Sequence, residues 1–190
     1  MSFSSSWIVP LFFLLVVINT VRSSRHIDEG PVCGMDFQTY ESHSAAQQAN
    51  VPVRHCGNCG ACSNDHDIQI YEKTKNTLTT TTKRCAMASL VFGLSVTKRC
   101  MIQFVGFTDN CRDCWMENIA CTRKKCTKTC IKYMLLGKGD FVGKLNPCLA
   151  CDERECGPAF AKCAGANRRR AGIVSDIARP DEEVCTIVDQ

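Results

Sequence analysis

Residues 110–136 read NCRDCWMENIACTRKKCTKTCIKYMLL, and this stretch decides the fold. At 100° per residue, Cys111, Trp115, Asn118, Ile119, Thr122, Cys126, Thr129, Cys130 and Tyr133 fall on one side, the progression of a buried helical stripe. Thr108 or Asp109 stands where an N-terminal cap is needed. Cys114 and Cys121 share a second line, rotated from the first. The spacing predicts one long helix, a structural spine, that offers Cys111, Cys126 and Cys130 to one part of the chain and Cys114 and Cys121 to another.

Working outward, Leu78 to Phe92 begins threonine-rich and is apolar on every side by Cys85 to Leu94, the pattern expected of a buried helix. Gly93 and Gly106 are its natural stops. Downstream, Asn146-Pro147 is a cap residue followed by proline at the first helical position. It predicts a short helix over 148–155 ending at Gly157, with Pro158 opening another over 159–164 that closes near Gly165. Upstream, residues 24–55 read as loosely ordered, apart from a short helix over 44–50 before Pro52. Asp67 to Tyr71, DIQIY, alternates polar and apolar and predicts a short strand. The expected class is mainly α: a small disulfide-rich secreted domain with several short-to-medium helices and little or no β-strand. Residues 24–190 make a single cysteine-rich domain, with the helical core at 78–165.

The first residues set the compartment. Trp7 to Ile18 is an unbroken apolar run, followed by Val21 and Ser23, small residues at the spacing a signal peptidase prefers. The run is too short to span the hydrocarbon, which takes about 20 apolar residues. Residues 1–23 are therefore expected to be a signal peptide, the mature chain to start at Ser24, and no membrane span to remain after leader removal. The expected location is extracellular.

The 16 cysteines agree with that compartment. All lie beyond the leader: Cys33, Cys56, Cys59, Cys62, Cys85, Cys100, Cys111, Cys114, Cys121, Cys126, Cys130, Cys148, Cys151, Cys156, Cys163 and Cys185. Such density in a secreted chain marks a disulfide scaffold, and the even number allows complete pairing. Connectivity stays open, because the possible pairings are far too many.

Cys56-Gly-Asn-Cys59-Gly-Ala-Cys62 is the densest local motif. Structural bridging is its expected role. CGNC and CGAC also resemble the CGxC motif of the thioredoxin family, a likeness of four residues with Arg54-His55 in place of that family's tryptophan. The resemblance implies an attacking thiol of lowered pKa at a helix N-terminus, and an extracytosolic thiol–disulfide redox protein is the alternative reading. His55 and His66 lie close enough in sequence to invite a zinc reading, but oxidation favours disulfides, so no metal and no cofactor is expected. Asp65-His66-Asp67 reads as a polar loop.

No GxSxG, HExxH or Walker-type glycine loop is present, and no catalytic residue is assigned. Charge is the more informative signal. Residues 83–139 hold eleven basic and three acidic side chains, net +8, between segments of −3 and −2. Lys124, Lys128 and Lys132 form an i, i+4, i+8 ridge, widened by Arg123 and Lys125. A ridge of this kind suits an anionic partner: acidic polysaccharide, lipid headgroups or an acidic protein. Nucleic acid is not expected, since no aromatic residues interleave with the lysines. The function expected is that of a secreted, non-enzymatic binding or structural protein.

Overall fold

The computed structural model describes residues 30–139, 145–167, 172–173 and 177. Among them are eight helices and one small sheet, so the chain is mainly α. The sheet is the first departure from expectation. Val32–Gly34 (β1) pairs antiparallel with Thr39–Tyr40 (β2) on one side and Val53–Cys56 (β3) on the other. Cys33 faces Thr39 and His55 across the ladder. The segment read as loosely ordered is thus an ordered sheet, packed through Val32 and Val53 on Ala46 of α1 (His43–Gln48). Its strands are two to four residues long, too short for a period-2 pattern to register. The Cys33–Cys59 disulfide ties β1 to the loop that follows β3.

The strand expected at 67–71 is instead part of α2 (Asp65–Lys73). Asn64 caps it, its side chain accepting from the Asp67 amide at 3.0 Å. Asp65 and Asp67 sit in the first turn, where carboxylates oppose the positive end of the helix dipole. The alternation in DIQIY also fits one helical face, which buries Asp67 and Tyr71. Asp65-His66-Asp67 is therefore a helix start rather than a polar loop.

Helix α3 (Leu78–Phe92) has the predicted bounds and stops at Gly93, whose φ of 80° is the conformation glycine adopts most easily. Antiparallel to it runs α4 (Leu94–Phe104), with the hairpin closed by Cys85–Cys100 and by Thr97 Oγ1 donating to the Cys85 carbonyl at 3.0 Å. The expectation of burial all round fails here. Leu78, Thr82, Cys85 and Ser89 form the buried stripe, while Met87, Leu90, Val91 and Phe92 are exposed. The two buried hydroxyls are satisfied by their own helix, Thr82 donating to Leu78 O and Ser89 to Ala86 O. That self-sufficiency lets the polar side face inward.

The predicted spine is two helices, α5 (Asp109–Lys125) and α6 (Thr127–Leu136), interrupted at Cys126 (φ −112°, ψ −3°). Helices α7 (Pro147–Glu155) and α8 (Gly157–Ala164) return alongside, interrupted in turn at Cys156. As expected, the Asn146 side chain caps α7, accepting from the Leu149 amide at 3.1 Å, and Gly165 ends α8.

Four disulfides lace the two arms in nested order: Cys114–Cys163, Cys121–Cys156, Cys126–Cys151 and Cys130–Cys148. Only Cys111 leaves the ladder, for Cys62. The expected split of Cys111, Cys126 and Cys130 from Cys114 and Cys121 is therefore corrected. The interruptions at Cys126 and Cys156 reset the angular phase of each arm, so cysteines from both predicted lines meet the same neighbour.

Above the ladder lies the core. Tyr71, Phe107, Trp115 and Phe160 form a ring cluster with centroids 4.8 to 6.3 Å apart, and Trp115 Nε1 donates to the Tyr71 hydroxyl at 3.2 Å. Leu78, Met101, Val105 and Ile119 pack into the same cluster.

Candidate functional site

The sequence offers two candidates, the cysteine motif and the lysine ridge, and the structure adds a third, a cleft. In the motif, no cysteine pairs with the one three residues away. Cys59 is bonded to Cys33 and Cys62 to Cys111; Cys56 is also in a disulfide. Three thiols close in sequence thus anchor three separate links. Gly60 explains the glycine between them. Its backbone lies against the end of α8, with Ala61 N donating to Cys163 O at 2.9 Å and Cys62 N to Ala164 O at 2.8 Å. Of the disulfide candidates, Cys185 lies outside the described residues, and among those residues no cysteine is free.

Beside the motif, His55 is almost fully buried, with Nε2 2.8 Å from Ser63 Oγ and Nδ1 2.9 Å from the Cys56 carbonyl. Ser63 Oγ also accepts from Gly60 N at 2.8 Å and Ala166 N at 3.4 Å. With both lone pairs of the hydroxyl engaged, its proton goes to His55 Nε2, and Nδ1–H donates to the Cys56 carbonyl. Burial holds the imidazole pKa below its ordinary value; the Cys56 carbonyl opposes this and Arg54 adds to it. The neutral ring is a clasp between β3 and the loop before α2. His66 Nε2 is engaged with Gly106 O at 2.8 Å, so both histidines of the zinc reading have backbone partners. Among the described residues no group of three or more His, Cys, Asp or Glu is placed to hold a metal ion.

The ridge straddles the break between α5 and α6. Arg123, Lys124, Lys125, Lys128 and Lys132 are all exposed. Lys125 is drawn to the return arm, with Nζ 3.3 Å from Glu155 O and 3.8 Å from Glu155 Oε2. The Glu155 carboxyl is held below its usual pKa by its hydrogen bond from Arg154, with charge help from Arg154 and Lys125. Lys124, Lys128 and Lys132 pair with no carboxylate among the described residues.

Next to the ridge, α3 faces α5, α6 and α7 across an open cleft of about 390 Å³. Met87 and Leu90 line one side, Ile131 and Met134 the other. Part of its lining is polar: Asn118 Nδ2 donates to Asp152 Oδ1 at 3.1 Å, and Thr122 Oγ1 donates to the same oxygen. Lys83 and Arg123 line it from α3 and α5. Sequence reasoning missed this site, because it depends on how α3 is rotated. The available signal was the set of large apolar residues at 87, 90, 91 and 92, which the buried stripe at 78, 82, 85 and 89 leaves outside.

Fold and bonds define a disulfide-stabilised helical domain, with seven bridges between described residues, a number that fits an oxidising, extracytosolic environment. Among the described residues no helix is long and apolar enough to cross a membrane. Residues 94–187, just under half the chain, match the model of a family of unknown function (DUF8771). That match begins at the first residue of α4 and takes in the whole disulfide ladder. No curated protein and no solved structure matches the chain.

Proposed function

We propose that this chain is a secreted, non-enzymatic binding module, matured by cleavage after Ser23, whose α5–α6 ridge engages an anionic partner. Acidic polysaccharide, anionic lipid headgroups and acidic protein all have the required chemistry. The observation that carries the reading is the state of Lys124, Lys128 and Lys132. Lys124 is exposed at the end of α5 and Lys128 and Lys132 on α6, and the three pair with no carboxylate among the described residues, while neighbouring Lys125 is drawn to Glu155. The Cys121–Cys156, Cys126–Cys151 and Cys130–Cys148 bonds tie this arm to the return arm, so the backbone that carries the lysines is ordered before binding and only their side chains remain to be ordered.

Retention on an acidic-polysaccharide column tests it. Exposed charges more than about 8 Å apart are screened at physiological salt, so binding through the ridge weakens steeply as salt rises. Replacing Lys124, Lys125, Lys128 and Lys132 by glutamine should lower the eluting salt markedly. Each exposed change should alter stability by less than about 0.5 kcal/mol. Elution of the quadruple variant at the parent's salt concentration would reduce the ridge to a solvated face.

A further inference from the structure

We infer that the outer surface of α3 and α6 docks on an anionic bilayer, inserting apolar side chains among the lipids. The inference rests on the reading of the ridge as an anion-binding face and names the anion which that face meets. Its first support is where exposed apolar surface falls. Leu135, Val91, Phe92 and Leu136 are 77%, 76%, 68% and 60% exposed, four of the five most exposed large apolar residues among those described. They stand at the C-terminal ends of α3 and α6. The two helices are neighbours, since Met87 and Met134 border one cleft, and none of the four residues lines it. Exposed apolar surface of this extent on a disulfide-bonded domain marks a contact site.

Charge on this surface has one sign. Helices α3 and α6 contain no acidic residue. Arg84, Lys128 and Lys132 are exposed on them outside the cleft, Lys138 follows the cap of α6, and none of these four forms an ion pair among the described residues. Inside the cleft Lys83 and Arg123 stand with Asp152 and Glu153, so that space has no net sign and is not part of the docking surface.

The two kinds of side chain share a face on each helix. Arg84, Met87 and Val91 follow the i, i+3, i+7 spacing on α3, and Lys128, Ile131 and Leu135 repeat it on α6, all six exposed. A long cation beside apolar neighbours can lay its stem along them and hold its charge at the level of the headgroups. Acidic polysaccharide would meet the charges and leave the apolar side chains in water. A second copy of this chain would bring like cations against each other. A bilayer with anionic headgroups satisfies both kinds of group at once.

Cosedimentation of the full chain, produced by secretion with its disulfides intact, tests it. The probes are vesicles of phosphatidylcholine alone and of phosphatidylcholine and phosphatidylserine in equal parts. Each cation close to an anionic surface adds about fivefold in affinity, so the mixed vesicles should be bound at least about 100-fold more tightly. They should still hold the chain at the salt concentration that elutes it from the acidic-polysaccharide column, because salt does not screen inserted apolar side chains. Val91→Ser combined with Leu135→Ser, both at exposed positions, should weaken vesicle binding at least about tenfold and leave the polysaccharide elution unchanged. Equal binding to the two vesicles, release from both supports at one salt concentration, or vesicle binding unaltered in the double variant would overturn the inference. The first two comparisons use the unmodified protein, so they decide the matter even where the variant fails to fold. Tighter binding of polyglutamate than of the mixed vesicles would overturn it in favour of an acidic protein. Polysaccharide retention without vesicle binding overturns this inference alone, whereas unchanged elution of the lysine-to-glutamine variant overturns the ridge reading.

Discussion

The backbones of Gly60 and Gly165 touch: a Cβ built on Gly60 would stand 2.5 Å from Gly165 N, and one built on Gly165 would stand 2.3 Å from Gly60 N. Real Cβ atoms do not come that close. The CGNCGAC loop is thereby docked on the end of α8, and Cys62, two residues on, is bonded to Cys111 at the start of α5. Gly60→Ala should lower stability by at least about 2 kcal/mol, since the obstruction is backbone and cannot rotate away. Gly30→Ala, where nothing lies within 4 Å, should change it by less than about 0.5 kcal/mol. Denaturant midpoints of the two variants check the contrast.

Removing one rung of the ladder should cost less than its loop length suggests. Cys126 and Cys151 are 25 residues apart, which in the chain-entropy model corresponds to about 3–4 kcal/mol. The bond is nested between Cys121–Cys156 and Cys130–Cys148, which already confine the unfolded chain. The double variant Cys126→Ala, Cys151→Ala should therefore lose about 2 kcal/mol or less from chain entropy, and retain its helical circular dichroism. A loss well above 4 kcal/mol would show that the rung holds native packing rather than constraining the unfolded chain.

Peptide mapping of the unreduced protein should recover the seven pairings described above and no free thiol. Cys56 is bonded, and Cys185 is the remaining cysteine of the sixteen, so these two should appear in one peptide pair. A Cys56–Cys59 or Cys59–Cys62 linkage would revive the redox reading of the motif.

His55 should make stability fall in mild acid. Burial lowers its folded pKa below the unfolded value of about 6.5, so the unfolded state binds more protons between the two values. The contribution is complete above about pH 7, declines as pH drops through 6.5, and levels off below the folded pKa. Thermal midpoints measured from pH 7.5 to 4.5 should show this decline, and the His55→Gln variant should lose that part of it. An unchanged profile in the variant would remove His55 as the cause.

Asp67 is fully buried and accepts from Thr108 N at 2.8 Å, from the Thr108 hydroxyl and from Asn64 Nδ2 at 2.6 Å. Thr108 is the N-cap position of α5, yet its own side chain does not cap that helix. A carboxylate from α2 therefore serves the start of α5. Asp67→Ala strands three donors and should cost about 2–4 kcal/mol, measured by chemical denaturation.

Helices were legible where their signals are local. The Asn146-Pro147 start of α7 and the glycine stops at 93 and 165 act within one turn, so adjacent residues determine them. The cysteine intervals of the ladder carry a signal too: successive cysteines are 7, 5 and 4 residues apart on one arm and 3, 5 and 7 on the other, mirrored to within one residue. Two segments paired antiparallel at matched intervals have that signature. DIQIY, by contrast, satisfies a strand or a helix equally over five residues. Asn64 and the distant Thr108 select the helix.

By itself the sequence determined a helical, disulfide-dense chain suited to an oxidising compartment, because periodicity, caps and cysteine density act locally or through composition. Only the tertiary structure decided which cysteines meet, that β1–β3 form a sheet, and which side of α3 stays outside. Those outcomes depend on contacts between residues 15 to 49 positions apart in the disulfides alone. A helix apolar on every side carries no local instruction about its rotation. The Cys85–Cys100 bond and the Thr97 hydrogen bond to Cys85 supply it, turning Leu78, Thr82, Cys85 and Ser89 inward and leaving Met87 and Leu90 beside the cleft.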